Sequence, residues 1–194
     1  MKNNIQLSTK LIAAFMLLSG LILSCKKNEQ DDPNITYKSF NKSVTSQLDR
    51  NLKKDSIDIN GDGSTDLLVL AVSNESADTS VCYLSGLHTY MYIDSTQTYF
   101  ITYKLKNMAS GQQPALLSTK TEWYNVVFAG VKATPSFRGF AGVGDVYIPI
   151  IFLDGANKHY GWIRLNVSSD YRTIKVIDGA YHITPDTPIK MGDK

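Results

Sequence analysis

Apolar residues in this chain recur at every second position, and rarely at every third or fourth. In Gly161-Trp162-Ile163-Arg164-Leu165-Asn166-Val167, Ile163, Leu165 and Val167 share one parity. Successive side chains of an extended backbone point to opposite faces, so this run predicts a strand with those three residues facing in. Residues 173–177 follow after Ser168-Ser169-Asp170, and the two runs predict a hairpin. Residues 99–106 alternate too. Tyr99, Ile101, Tyr103 and Leu105 fall on one face and Thr102, Lys104 and Lys106 on the other, which predicts one half-buried strand. Residues 67–72, 81–93, 123–128 and 146–153 are further strand candidates. Pro149 places the last at a sheet edge or a bulge, because proline has no N–H to give a ladder. Residues 41–52, with Val44 and Leu48 four apart, are the one helix candidate, and 107–120 read as a long loop. Short strands joined by turns rich in Gly, Ser, Asn and Asp predict an all-β chain, an antiparallel β-sandwich or jelly roll in one domain.

The N-terminus carries a different signal. Lys2 and Lys10 precede an apolar run over residues 11–23 that only Ser19 and Gly20 interrupt. The run is short for a membrane span and fits the apolar centre of an export signal. Its end, Leu21-Ile22-Leu23-Ser24-Cys25, resembles the lipobox of bacterial lipoproteins. The resemblance implies cleavage after residue 24 and lipid on Cys25, with the chain held in the outer membrane by acyl groups. Each buried methylene of such a chain adds about 0.8 kcal/mol. Residues 25–36 then read as a flexible tether and 37–194 as the folded domain. The acidic residues Glu29, Asp31 and Asp32 resemble the signal that sends Bacteroidota lipoproteins to the cell surface, although Lys26 and Lys27 come first.

The leader takes Lys2 and Lys10 with it and no acid, so the 20 basic and 18 acidic residues of the full chain become evenly matched. With no basic block, the footprint of nucleic-acid binding is missing. With Cys25 lipidated, Cys82 has no partner for an internal disulfide. It falls in the strand-like run Ser80-Val81-Cys82-Tyr83-Leu84 and reads as a buried, inert thiol.

One loop stands apart in its chemistry. Asp58-Ile59-Asn60-Gly61-Asp62-Gly63-Ser64-Thr65-Asp66 places oxygen-bearing side chains at alternate positions, with Gly63 where the backbone must turn. Against an EF-hand, Asp58, Asn60 and Asp62 fill the first three side-chain places. Ser64 offers a carbonyl and Asp66 takes the ninth place. The twelfth, which needs a bidentate Glu, is Val69 in a strand-forming run, so a helix–loop–helix sensor is excluded. The pattern D-x-[DN]-x-D-G-x-x-D resembles the calcium loop of integrin-type FG-GAP repeats. That resemblance implies one structural Ca²⁺ held by Asp58, Asn60, Asp62, Ser64 and Asp66. The single copy weighs against a propeller of such repeats. An Asx/Gly turn without metal is the competing reading.

Near the C-terminus, His159-Tyr160-Gly161-Trp162-Ile163-Arg164-Leu165 and Ile177-Asp178-Gly179-Ala180-Tyr181 resemble segments of uncharacterised secreted bacterial proteins, which implies a β-rich fold and names no established activity. Tyr147, His159, Tyr160, Trp162 and Tyr181 could stack on a sugar ring, with Asp154, Asn157 and Arg164 bonding its hydroxyls. The competing reading makes these rings core, as strand aromatics usually are. Asp55-Ser56-Ile57 and Asp94-Ser95-Thr96 fit the short pattern of Bacteroidota O-glycosylation. Gly139-Phe140-Ala141-Gly142-Val143-Gly144 has no helix behind it to cradle a phosphate and reads as a loop.

The three histidines form no H-E-x-x-H, and there is no G-x-S-x-G. The expectation is a non-catalytic, calcium-binding envelope protein that contacts the membrane through its lipid and binds an extracellular glycan or protein. A glycan hydrolase with two facing carboxylates, or a purely structural envelope component, stand as alternatives.

Overall fold

The structure is a computed structural model of the 194-residue chain and describes residues 32–99, 102–105, 108–112, 123–133 and 139–194. Eleven strands form among them: β1 (Ile35–Thr45), β2 (Lys53–Ile57), β3 (Leu67–Ser73), β4 (Ser80–Gly86), β5 (Thr89–Tyr99), β6 (Thr102–Leu105), β7 (Trp123–Tyr124), β8 (Val126–Lys132), β9 (Val146–Asp154), β10 (Asn157–Val167) and β11 (Thr173–His182). No helix forms among the described residues. The strands hydrogen-bond in the order β1-β11-β10-β9-β5-β6-β8-β4-β3-β2, with β7 also on β5. β5 belongs to both sheets. Its start pairs with β9 in the first sheet and its end with β6 in the second. The pairs are antiparallel apart from β6–β8. The fold is an all-β sandwich.

Alternation explains the core between the sheets. Ile57, Leu67, Val69 and Leu84 meet Ile148, Ile150, Ile163, Leu165 and Val176 there, each 2% exposed or less. Burying an aliphatic side chain of this size stabilises a fold by about 1.5–3 kcal/mol. In β10 the other parity is apolar as well. Tyr160 and Trp162 point to the opposite face of the first sheet, where Trp123, Ile189 and Met191 join them in a second cluster. The segment after β11 supplies Ile189 and Met191, so the first sheet is covered on both faces.

Several boundaries differ from the sequence expectation. Residues 81–93 are not one strand, because β4 ends at Gly86 and β5 begins at Thr89. A Cβ on Gly86 would lie 1.8 Å from the Thr89 carbonyl oxygen, an approach only glycine allows. Nor are residues 99–106 one strand. Tyr99 pairs with Thr102, so the chain reverses between β5 and β6. Phe100, Ile101, Lys106, Asn107 and residues 113–120 of the expected loop lie outside the described residues. Residues 41–45 are strand rather than helix. Residues 123–128 divide between β7 and β8.

β9 is an interior strand and not an edge. Its pairing with β5 covers only Ile150 to Phe152, so Pro149 falls outside the stretch that is paired on both sides. The folded unit also starts earlier than expected. The Asp32 N–H donates to the Lys194 carbonyl at 2.9 Å and β1 begins at Ile35, so the end of the expected tether is part of the fold. Residues 1–31, with the leader and Cys25, lie outside the described residues.

Candidate metal loop

The acidic loop joins β2 to β3, which pair from Ile57↔Leu67 onward. Its two ends are fixed to a rigid hairpin, and the Asp66 N–H donates to the Ile57 carbonyl at 2.9 Å. Ile59 is 3% exposed and plugs the loop into the inter-sheet core. Gly61 and Gly63 take φ of +88° and +89°, the left-handed region that side chains disfavour.

Each acidic or amide side chain turns back on the loop. The Gly61 and Gly63 N–H groups donate to the two carboxylate oxygens of Asp58. The Asp62 N–H donates to Asn60 Oδ1 at 3.0 Å, and the Ser64 N–H to Asp62 Oδ1 at 2.7 Å. Asp66 is 2% exposed and accepts from the Ile59 N–H at 2.7 Å. Its carbonyl accepts from Leu87 N–H at 2.8 Å.

Two carboxyls of the loop respond oppositely. Burial pushes the Asp66 carboxyl above its ordinary pKa, and the nearby charges of Asp62 and Asp58 add to that. The Ser64 N–H and the Asn60 amide hold the exposed Asp62 below its ordinary value. Lys38, on β1, donates from Nζ to the Asp58 carbonyl at 2.8 Å. His88 Nδ1 lies 3.6 Å from Asp66 Oδ1. Sequence reasoning missed both residues. Lys38 arrives because β1 and β2 end the strand order side by side, and His88 because the β4–β5 turn lies against the loop. Neither spacing carries a signal along the chain.

The donors are all oxygens, which suits a hard divalent cation in kind. They are not yet arranged as a cage. Among the described residues no group of three His, Cys, Asp or Glu side chains stands ready to hold a metal ion. The loop oxygens are instead satisfied by N–H groups and by Lys38, which an incoming cation would have to displace. Val69, at the twelfth place of an EF-hand, is fully buried in β3.

The five C-terminal aromatic residues do not make one surface. Trp162 is 1% and Tyr160 4% exposed on the outer face of the first sheet, and Tyr147 packs there at 5.2 Å between ring centroids from Trp162. His159 and Tyr181 lie on the inner face with Phe152. His159 Nδ1 is 2.8 Å from the His182 carbonyl. Because neighbours in a strand face opposite ways, these rings cannot all stack on a common ligand; Trp162, Tyr160 and His159 are buried, and Tyr147 and Tyr181 are half-buried against the two clusters. Arg164 is bound to Asp178, and Asp154 and Asn157 flank the β9–β10 turn.

Cys82 is fully buried, and its thiol donates to the Tyr171 carbonyl at 3.2 Å. Burial, helped by Asp170, pushes the thiol up to about 12. A raised value leaves almost no thiolate at neutral pH, and the thiolate is the reactive form. In a Cys25→Ser protein, iodoacetamide at pH 8 is expected to label Cys82 only after denaturation. Rapid labelling of the native protein would refute the inert assignment.

Comparison with protein-family models, with curated proteins and with solved structures found no match to this chain. The resemblances to the lipobox, to the FG-GAP loop and to the secreted C-terminal segments therefore rest on their motifs alone.

Proposed function

We propose that this chain is a calcium-binding lipoprotein of the bacterial cell envelope, anchored in the outer membrane through lipid on Cys25, that acts in surface binding or adhesion without catalysis. The observation that carries the reading is the β2–β3 loop. Asp58, Asn60, Asp62 and Asp66 bring side-chain oxygens, and Ser64 a carbonyl, to a nine-residue turn fixed on two strands. The buried Asp66 is disfavoured as an anion by burial and by its two acidic neighbours, and a divalent ion relieves that cost. The ion acts as a staple. It ties β2 to β3 at the edge of the second sheet, and it competes with donors already in place, so the expected affinity is the modest one of extracellular modules, about 10⁻⁴–10⁻³ M.

Thermal unfolding tests this. Calcium at about a hundred times its Kd stabilises a native-only binder by about 2.7 kcal/mol. For a domain of this size that raises Tm by roughly 5–10 °C. A chelator should reverse the shift and Asp62→Ala should abolish it. A Tm indifferent to calcium at about 100 mM, a hundred times the weaker Kd, or a full shift in Asp62→Ala, would sink the metal reading.

A further inference from the structure

The strand order ends in β1 on one side and β2 on the other, and these two edges face each other without backbone pairing. Side chains bridge them instead. Lys38 Nζ reaches the Asp58 carbonyl at 2.8 Å, and Lys42 Nζ reaches Asp55 Oδ1 at 3.1 Å. Between the bridges lies a groove of about 320 Å³. That is near the lower end of the roughly 300–1,000 Å³ that small-ligand clefts span. A bulge shapes it. The β1–β11 register breaks between Ser39 and Lys42, and Asn41 takes φ of +49°. Bulges of this kind bend an edge and re-aim its side chains. Here the Asn41 amide donates to Ser39 Oγ at 2.8 Å. Phe40 and Ile57 give the groove an apolar floor, and Ser39, Ser56, Ser64 and Thr65 give it a hydroxyl rim.

We propose that this seam is a binding groove for one or two pyranose rings of an extracellular glycan. A sugar ring has an apolar face for the Phe40 floor and hydroxyls for the serine and threonine rim, with Lys42 and Asp58 as the charged partners. Two free edges invite an added peptide strand, but the spacing opposes it. Cα atoms of β1 and β2 approach within 8 Å. A strand inserted between them needs about 9.6 Å, two strand spacings. Asp58 and Ser64 belong to both the groove wall and the metal loop, so the coupling to calcium rests on the metal reading, while the groove itself does not.

The test is calorimetric titration of the full-length protein with glucose, galactose, mannose, N-acetylglucosamine, glucuronate and their disaccharides, with calcium and with chelator. At least one should bind. Ser39→Trp and Ser56→Trp, which fill the groove from exposed positions and should keep the wild-type Tm, are each expected to weaken it about tenfold or more. Calcium should strengthen binding. Binding that neither variant weakens, or no binding by any of these sugars, overturns the groove. So does displacement of the bound sugar by an alternating Val-Thr peptide, which would make the seam a strand-addition edge. Sugar binding that the two variants weaken, in a protein whose Tm ignores calcium, upholds the groove and removes the metal reading. A calcium-dependent Tm without any sugar binding does the reverse.

Discussion

Trp162→Ala is expected to lower the unfolding free energy by about 3–5 kcal/mol, the cost of truncating a buried tryptophan. For a domain of this size that is a Tm loss of roughly 10 °C. Trp162 is 1% exposed and packs between Tyr147 and Tyr37, with centroids at 5.2 and 6.3 Å. Its indole Nε1 donates to the Asp193 carbonyl at 3.2 Å and so fastens the C-terminal segment to the first sheet. Truncation opens a cavity and frees that segment together. Trp162→Phe should keep much of the packing, lose the bond to Asp193 and fall between the two proteins. Denaturant unfolding measures all three. A Trp162→Ala protein of wild-type stability would mean that the ring faces solvent, and would reopen the aromatic residues of β10 as a binding surface.

That outcome bears on what the sequence can and cannot disclose. The strands of the inner core were legible from local pattern. β10 and the start of β11 fall close to where period two places them, and β3 follows from its unbroken apolar run over residues 67–72. β1 was hidden for a physical reason. The bulge after Ser39 shifts parity, so Ile35 and Tyr37 face the outer cluster while Phe40 and Val44 face the inner core. A pattern that changes phase in mid-strand resembles no simple period, and Val44 and Leu48 then mimic a helical spacing. The β5–β6 reversal was hidden because its turn carries apolar residues in place of Gly, Asn or Pro.

The acidic loop was legible residue by residue, since side-chain oxygens at alternate positions with glycine between them are a local pattern. Its surroundings were not. Lys38 and His88 reach the loop through strand order, and the groove arises from two edges far apart in sequence. For the same reason, the choice between a sugar platform and a core for the C-terminal rings needed the second layer over the first sheet, which residues 183–194 provide.

Arg164→Met is expected to cost about 3–5 kcal/mol, more than the converse change at its partner. Asp178 accepts from Arg164 Nε at 2.9 Å and Nη2 at 2.6 Å, and from the Tyr37 hydroxyl at 2.9 Å. The paired carboxylate in turn raises the guanidinium above its ordinary pKa. The bulge that skips Ile177 in the β10–β11 register brings Asp178 opposite Arg164. The two partners differ in their access to water: the Asp178 side chain is 3% exposed and that of Arg164 30%. Removing the arginine strands a buried anion with one hydroxyl. Removing the acid leaves a cation that water and Asp145, at 3.8 Å, can still serve. Asp178→Leu should therefore cost about 1–3 kcal/mol. The double variant Arg164→Met/Asp178→Leu should recover most of the larger loss, because neither charge is left alone. Urea unfolding of the four proteins closes this cycle. Equal single costs that simply add would show that Arg164 and Asp178 act independently. Arg164 would then be free to meet a ligand, as the sequence reading that groups it with Asp154 and Asn157 suggests.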